Sequence, residues 1–92
     1  MSDLYKEVIN LRHRLNNVID DPSHSSAQSL KKLVQRLEDE MQVNKNPKSL
    51  EPTVKDIINS LKQAEHAGVI SHSDVNYLHK TFEEMQQELR RM

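Results

Sequence analysis

Five histidines, His13, His24, His66, His72 and His79, are the side chains best equipped for chemistry in this 92-residue chain. Imidazole binds metals and titrates near neutrality, so a metal site and a pH sensor are the first readings. Two ligands on one helix turn need a spacing of three or four residues, and no histidine pair has it. His72 and His79 would stand ~10 Å apart along a helix that rises ~1.5 Å per residue. The plain reading is surface histidines, with nothing to single one out as a switch. Paired carboxylates for acid–base work come next. Glu38-Asp39-Glu40 and Glu83-Glu84 have neither a nucleophile nor an apolar cleft signature beside them. Solvation of outer helix faces accounts for both runs. Neither a catalytic residue nor a metal ligand is expected, and hence no enzyme.

Composition removes further chemistries. With no Cys there is no disulfide framework or thiolate site. With Gly68 as the only glycine there is no Gly-rich phosphate loop, and no cofactor is expected. Thirteen Lys+Arg against 14 Asp+Glu leave a formal net charge of −1. That balance lacks the basic excess used on phosphate backbones. Residues 61–80 approach a helix-turn-helix, since Ala64 and Gly68 have the right separation. The match then fails: core positions of the second helix fall on Asp74 and Tyr77, and Val75 and Leu78 come one place late. No nucleic-acid partner is expected. Apolar runs such as Val8-Ile9 stop far short of the ~20 residues that span a bilayer. The opening residues show no basic stretch followed by an apolar run, so the expected location is the cytoplasm.

These side chains must be positioned by amphipathic helices. Hydrophobic residues make up only 35% of the chain, a share that would suit disorder if it were unpatterned. It is tightly patterned. Leu4, Val8, Leu11, Leu15 and Val18 recur in steps of four and three, which aligns them on one helical stripe. Asp20-Asp21-Pro22 ends that helix, because Pro lacks an N–H and disfavours a helical residue before it. Ala27, Leu30, Val34, Leu37 and Met41 form a second stripe, widened by Leu33. Its cap is either Ser25, facing the Gln28 N–H, or Asp21 with Pro22 in the first turn.

Residues 43–53, with two prolines and two asparagines, read as a loop from which Leu50 tucks inward. Val54, Ile57, Ile58, Leu61 and Ala64 form the third stripe, starting from Thr53. Gly68 stands where a left-handed helix cap is wanted. Ser71 and Asp74 then suit a loose capping box, and Ile70 and Val75 a hydrophobic staple. Val75, Leu78, Phe82, Met85, Leu89 and Met92 make the fourth stripe, its methionines filling core. The expected helices are 3–19, 26–42, 53–67 and 72–91. Short connections make neighbours antiparallel, so the expectation is one all-α domain over residues 1–92, an antiparallel four-helix bundle. Pro22 and the 43–53 break argue against a continuous coiled coil.

Taken in order, Ser29-Leu30-Lys31-Lys32-Leu33 with Leu37, then Ile57, Ile58, Leu61 and Ala64, then Gly68-Val69-Ile70-Ser71, and last Tyr77-Leu78 resemble the immunity proteins of pediocin-like (class IIa) bacteriocins. The similarity spans roughly residues 25–85. The resemblance implies a cytosolic four-helix bundle that protects the producing cell. It would associate with the mannose phosphotransferase membrane components once bacteriocin engages them as receptor, with peripheral membrane association as a further expectation. In that family the C-terminal half tends to set which bacteriocin is resisted. Mapped here, this half is the third helix, the turn at Gly68 and the fourth helix.

The residues expected to contact a partner lie off the fourth stripe or at its end: His72, Tyr77, Lys80, Arg90 and Arg91. An amphipathic aromatic outside the core is a frequent contact anchor, which puts Tyr77 first. A Tyr flanking the core with its hydroxyl in water is the competing reading. Arg90-Arg91 first of all suits a helix C-terminus; contact with an acidic partner or lipid headgroups is the secondary reading. The alternative function is a non-enzymatic helical adaptor or regulatory module, phage-encoded or self-associating.

Overall fold

A computed structural model describes residues 2–43 and 46–91. It contains α1 (Ser2–Val18), α2 (Ser25–Val43), a 3-10 turn (Pro47–Leu50), α3 (Glu51–His66) and α4 (His72–Arg91). No strand occurs among the described residues. Each helix packs on its two neighbours round a ring, while the diagonal pairs α1–α3 and α2–α4 stay apart. α3 is the best-packed helix, and α1 the lightest, above all on its α4 side.

Side-chain pairs fix the directions. Gln42 at the end of α2 donates to the Tyr5 hydroxyl at the start of α1 (2.6 Å). Arg90 at the end of α4 donates to Glu51 at the start of α3. Arg14, late in α1, lies over the ring of Tyr77, early in α4. Neighbours therefore run antiparallel throughout, and the chain is an all-α up-down-up-down bundle with extents of 35 × 21 × 19 Å.

The stripes supply the core. Leu30, Val34, Leu37, Leu50, Ile57, Leu61, Leu78, Phe82, Met85 and Leu89 are essentially sealed from water. Leu50 closes one end as expected, at 0% exposure. Met92 lies outside the described residues.

Three local expectations are corrected. Ile19, not Val18, completes the first stripe: Ile19 is 7% exposed and Val18 only half-buried. After Leu15 the third and fourth positions flank the stripe almost equally. One further turn-type bond, Ile19 N–H to Leu15 C=O (3.2 Å), rotates Ile19 inward. α2 is capped by neither Ser25 nor Asp21. The His24 ring accepts at Nδ1 from the Ser26 N–H (3.1 Å), and the Asp21 carboxylate folds onto Ser23 instead. α3 starts before Thr53, because the 3-10 turn feeds straight into Glu51 with Pro52 in the first turn, where its missing N–H costs nothing. Thr53, buried inside α3, donates its hydroxyl to Glu40 of α2 (2.6 Å).

The α3–α4 turn is as expected. Gly68 takes φ +77°. Its N–H donates to the Glu65 carbonyl (3.0 Å) and the Val69 N–H to the Ala64 carbonyl (3.1 Å). Together these form the two-bond Schellman closure of α3. Ser71 then caps α4, accepting from the Asp74 N–H (3.3 Å). Its hydroxyl also donates to the Asp74 carboxylate (2.8 Å), so the box closes between side chains. Ile70 and Val75 are both 2% exposed, as a staple requires.

Candidate functional site

The five residues expected to contact a partner all lie on α4, but they do not converge. His72 sits on the flank facing α3. Its Nδ1 lies 2.6 Å from the Glu65 carboxylate, and its Nε2 lies 3.2 Å from the Asn76 amide. Arg90 shares that flank, paired with Glu51. Tyr77 sits on the opposite flank, 42% exposed, with the Arg14 guanidinium 3.8 Å from its ring centroid. That cation–π contact contributes on the order of 0.5–1 kcal/mol at such an exposed site. Lys80 and Arg91 are exposed between the flanks. The structure thus separates His72 and Arg90 from Tyr77 by the width of the helix.

Glu83 and Glu84 are exposed as expected, but some of the remaining titratable groups depart from their first reading. Of the histidines, His13, His66 and His72 are exposed, whereas His24 and His79 are half-buried. His79 Nδ1 faces Glu83 across one turn (2.9 Å). No group of His, Asp and Glu able to hold a metal ion occurs among the described residues. The run Glu38-Asp39-Glu40 is not a solvated face. Asp39 is exposed, but Glu38 is 4% exposed and Glu40 is half-buried. Glu38 Oε2 lies 2.9 Å from Arg12 Nε, an ion contact across the α1–α2 seam whose N–H is not aligned for a regular hydrogen bond. Its sequence signal is recoverable. Arg12 stands four after Val8 and three before Leu15, and Glu38 four after Val34 and three before Met41. Both therefore flank their stripes on the sides that meet.

Among the described residues, two carboxylates are shifted from their ordinary range. Burial pushes Glu7 of α1 above the usual glutamate range, and the charges of Glu88 and Glu84 on α4 push it further. Asp21 is held below its usual range, first by the Ser23 hydroxyl (2.7 Å) and also by the Ser23 N–H (3.2 Å).

The concavities are shallow, some lying between helices and others on the outer face of one helix. One of about 310 Å³ runs along the α1–α4 seam past Glu7, Leu11, Arg14 and Tyr77. Another of about 350 Å³ lies between α1 and α2, rimmed by Arg12, Lys31 and Lys32 over Leu15 and Val34. Among the described residues, Val43 at the end of α2 is the most exposed large apolar side chain, at 82%. Among the described residues, no helix is long and apolar enough to cross a membrane. Comparison of the chain with protein-family models, with curated proteins and with solved structures finds no match.

Proposed function

We propose that this bundle is a non-enzymatic immunity protein of the pediocin-like bacteriocin kind. It acts from the cytosolic side on the mannose phosphotransferase receptor once bacteriocin has engaged it. The observation that carries the reading is the order of its segments on the fold. Ser29–Leu33 lie on α2, and Ile57, Ile58, Leu61 and Ala64 form the buried stripe of α3. Gly68–Ser71 make the turn, and Tyr77-Leu78 lie on α4 with Leu78 inward and Tyr77 outward. The antiparallel arrangement of those helices is what the resemblance implies. An exposed aromatic held in place by a neighbouring guanidinium loses little entropy on meeting a partner, which supports Tyr77 as an anchor.

Expression in a bacteriocin-sensitive strain tests the proposal. The expected result is growth at concentrations of at least one pediocin-like peptide that kill the parent strain. Loss of that protection is expected in Tyr77→Ala, with helicity retained. Unchanged killing across the whole panel overturns it. A short double-glycine-leader peptide gene immediately upstream is the independent genomic expectation.

A further inference from the structure

The face made by α1 and α2 carries an uncompensated positive rim above an apolar floor. Arg12, Lys31 and Lys32 surround the groove whose floor is Leu15 and Val34. Among the described residues neither lysine has an ion-pair partner, and Arg12 meets Glu38 only through Nε. A second concavity of about 380 Å³ adjoins the first, sharing Lys32 and Gln35 and ending at Val43. Of the carboxylates near it, Glu40 has a cationic partner and Asp39 only a neutral amide. Asp39 accepts from the Gln35 amide (3.2 Å), and Glu40 takes the Thr53 hydroxyl (2.6 Å) with Arg36 at 3.7 Å. An approaching molecule therefore meets free positive charge at one end and a bare apolar side chain at the other.

We propose that this strip, from Arg12 and Lys31 along α2 to Val43, docks an acidic amphipathic helix of a protein partner. Its length along α2 is ~18 Å at ~1.5 Å per residue, which matches about three turns of a docked helix. Carboxylates of the partner meet Lys31, Lys32 and the terminal nitrogens of Arg12. Its apolar side chains lie on the Lys and Arg stems and on Val43. A protein segment suits the site better than a lipid surface. The cations ring a concavity that a flat headgroup layer does not fill. The inference rests on reading the chain as a binding protein. It concerns a different face from the α4 residues, so the two readings fail separately.

The test is amide chemical-shift titration of the intact labelled protein with a synthetic helical peptide of about twelve residues, Glu on one face and Leu on the other. A Gln-for-Glu version and phosphatidylglycerol vesicles run in parallel. Saturable shifts confined to residues 12–16 and 31–43, weakened by salt and by the Gln version, are expected. Lys31→Glu with Lys32→Glu should weaken binding about fivefold or more, two attractive exposed pairs having become repulsive. Val43→Ser, at an exposed position that cannot unfold the core, should weaken it severalfold. The proposal is overturned by absence of saturable binding, by equal shifts with the Gln version or by shifts on other faces. Engagement of vesicles without the peptide, or sedimentation showing the face occupied by a second copy, overturns it too. The bacterial survival assay is indifferent to these outcomes and decides the immunity reading alone.

Discussion

Replacing Gly68 by the two mirror forms of alanine isolates the energy of one backbone conformation. At φ +77° a methyl group added to Gly68 meets nothing within 4 Å, so no steric contact confuses the result. An L-residue pays about 1–2 kcal/mol to hold the left-handed region. Part of this is offset by about 0.4–1 kcal/mol, because alanine also restricts the unfolded chain. Gly68→Ala should therefore lower stability by about 1 kcal/mol, which in a domain of this size is about 4–8 °C in Tm. The D-alanine form carries the same restriction without the penalty, so it should raise stability by a few tenths to about 1 kcal/mol. A chain of 92 residues is within reach of chemical synthesis and ligation. Thermal and urea unfolding followed by circular dichroism would read both variants, with an unchanged urea slope certifying an unchanged fold. Equal stability of the two forms, or a neutral L-form, would refute the positive φ and with it the two-bond closure of α3.

The Arg12–Glu38 contact gives a second expectation. Arg12→Met strands a carboxylate that is 5% exposed and should cost about 2–3 kcal/mol, less than a fully buried pair because Arg12 is itself 34% exposed. The double variant Arg12→Met, Glu38→Leu should return to within about 1 kcal/mol of the parent in urea unfolding, and a non-recovering double variant would contradict this. Glu7 should penalise stability as pH rises, because its folded carboxyl binds a proton more tightly than the unfolded one. Glu7→Gln should accordingly raise Tm at pH 7 and change it little in acid below the unfolded pKa, and equal shifts at both pH values would count against that cause. Phe82→Asp places an unpaired charge at a position 1% exposed and should abolish the cooperative melt, with a native-like melting curve as the opposing result.

Periodicity carried most of the fold, since each helix buries one narrow stripe and the buried residues of α2, α3 and α4 follow it. It failed where one residue decides a rotation, as at Val18 and Ile19, because a step of three and a step of four both stay near the stripe. It failed again at His24, since an imidazole is not a usual cap acceptor and only its placement before Ser25 makes it one. The buried charge of Glu38 was hidden by its neighbours, an exposed Asp39 and a half-buried Glu40 that together resemble a solvated run. The candidate contact residues were legible as α4 surface. Their division between two flanks was not, because it depends on which neighbour, α1 or α3, lies on each side.

α1 is fastened unequally at its two ends. Just past its C-terminus the Asp20 N–H donates to the Val69 carbonyl in the α3–α4 turn (2.8 Å), a main-chain tie between segments remote in sequence. At the opposite end the 3-10 turn lies against α2, α3 and α4, but not α1, whose start is held by side chains, the buried Leu4 and the Tyr5–Gln42 bond, without a main-chain tie of this kind. Amide exchange should therefore be graded along α1, fast near Asp3 and slow near Leu15. The Asp20 amide should be protected despite lying in a connection, because releasing it requires the two helical hairpins to part. Because it joins segments remote in sequence, the same bond is expected to close late in folding, after local helix pairs.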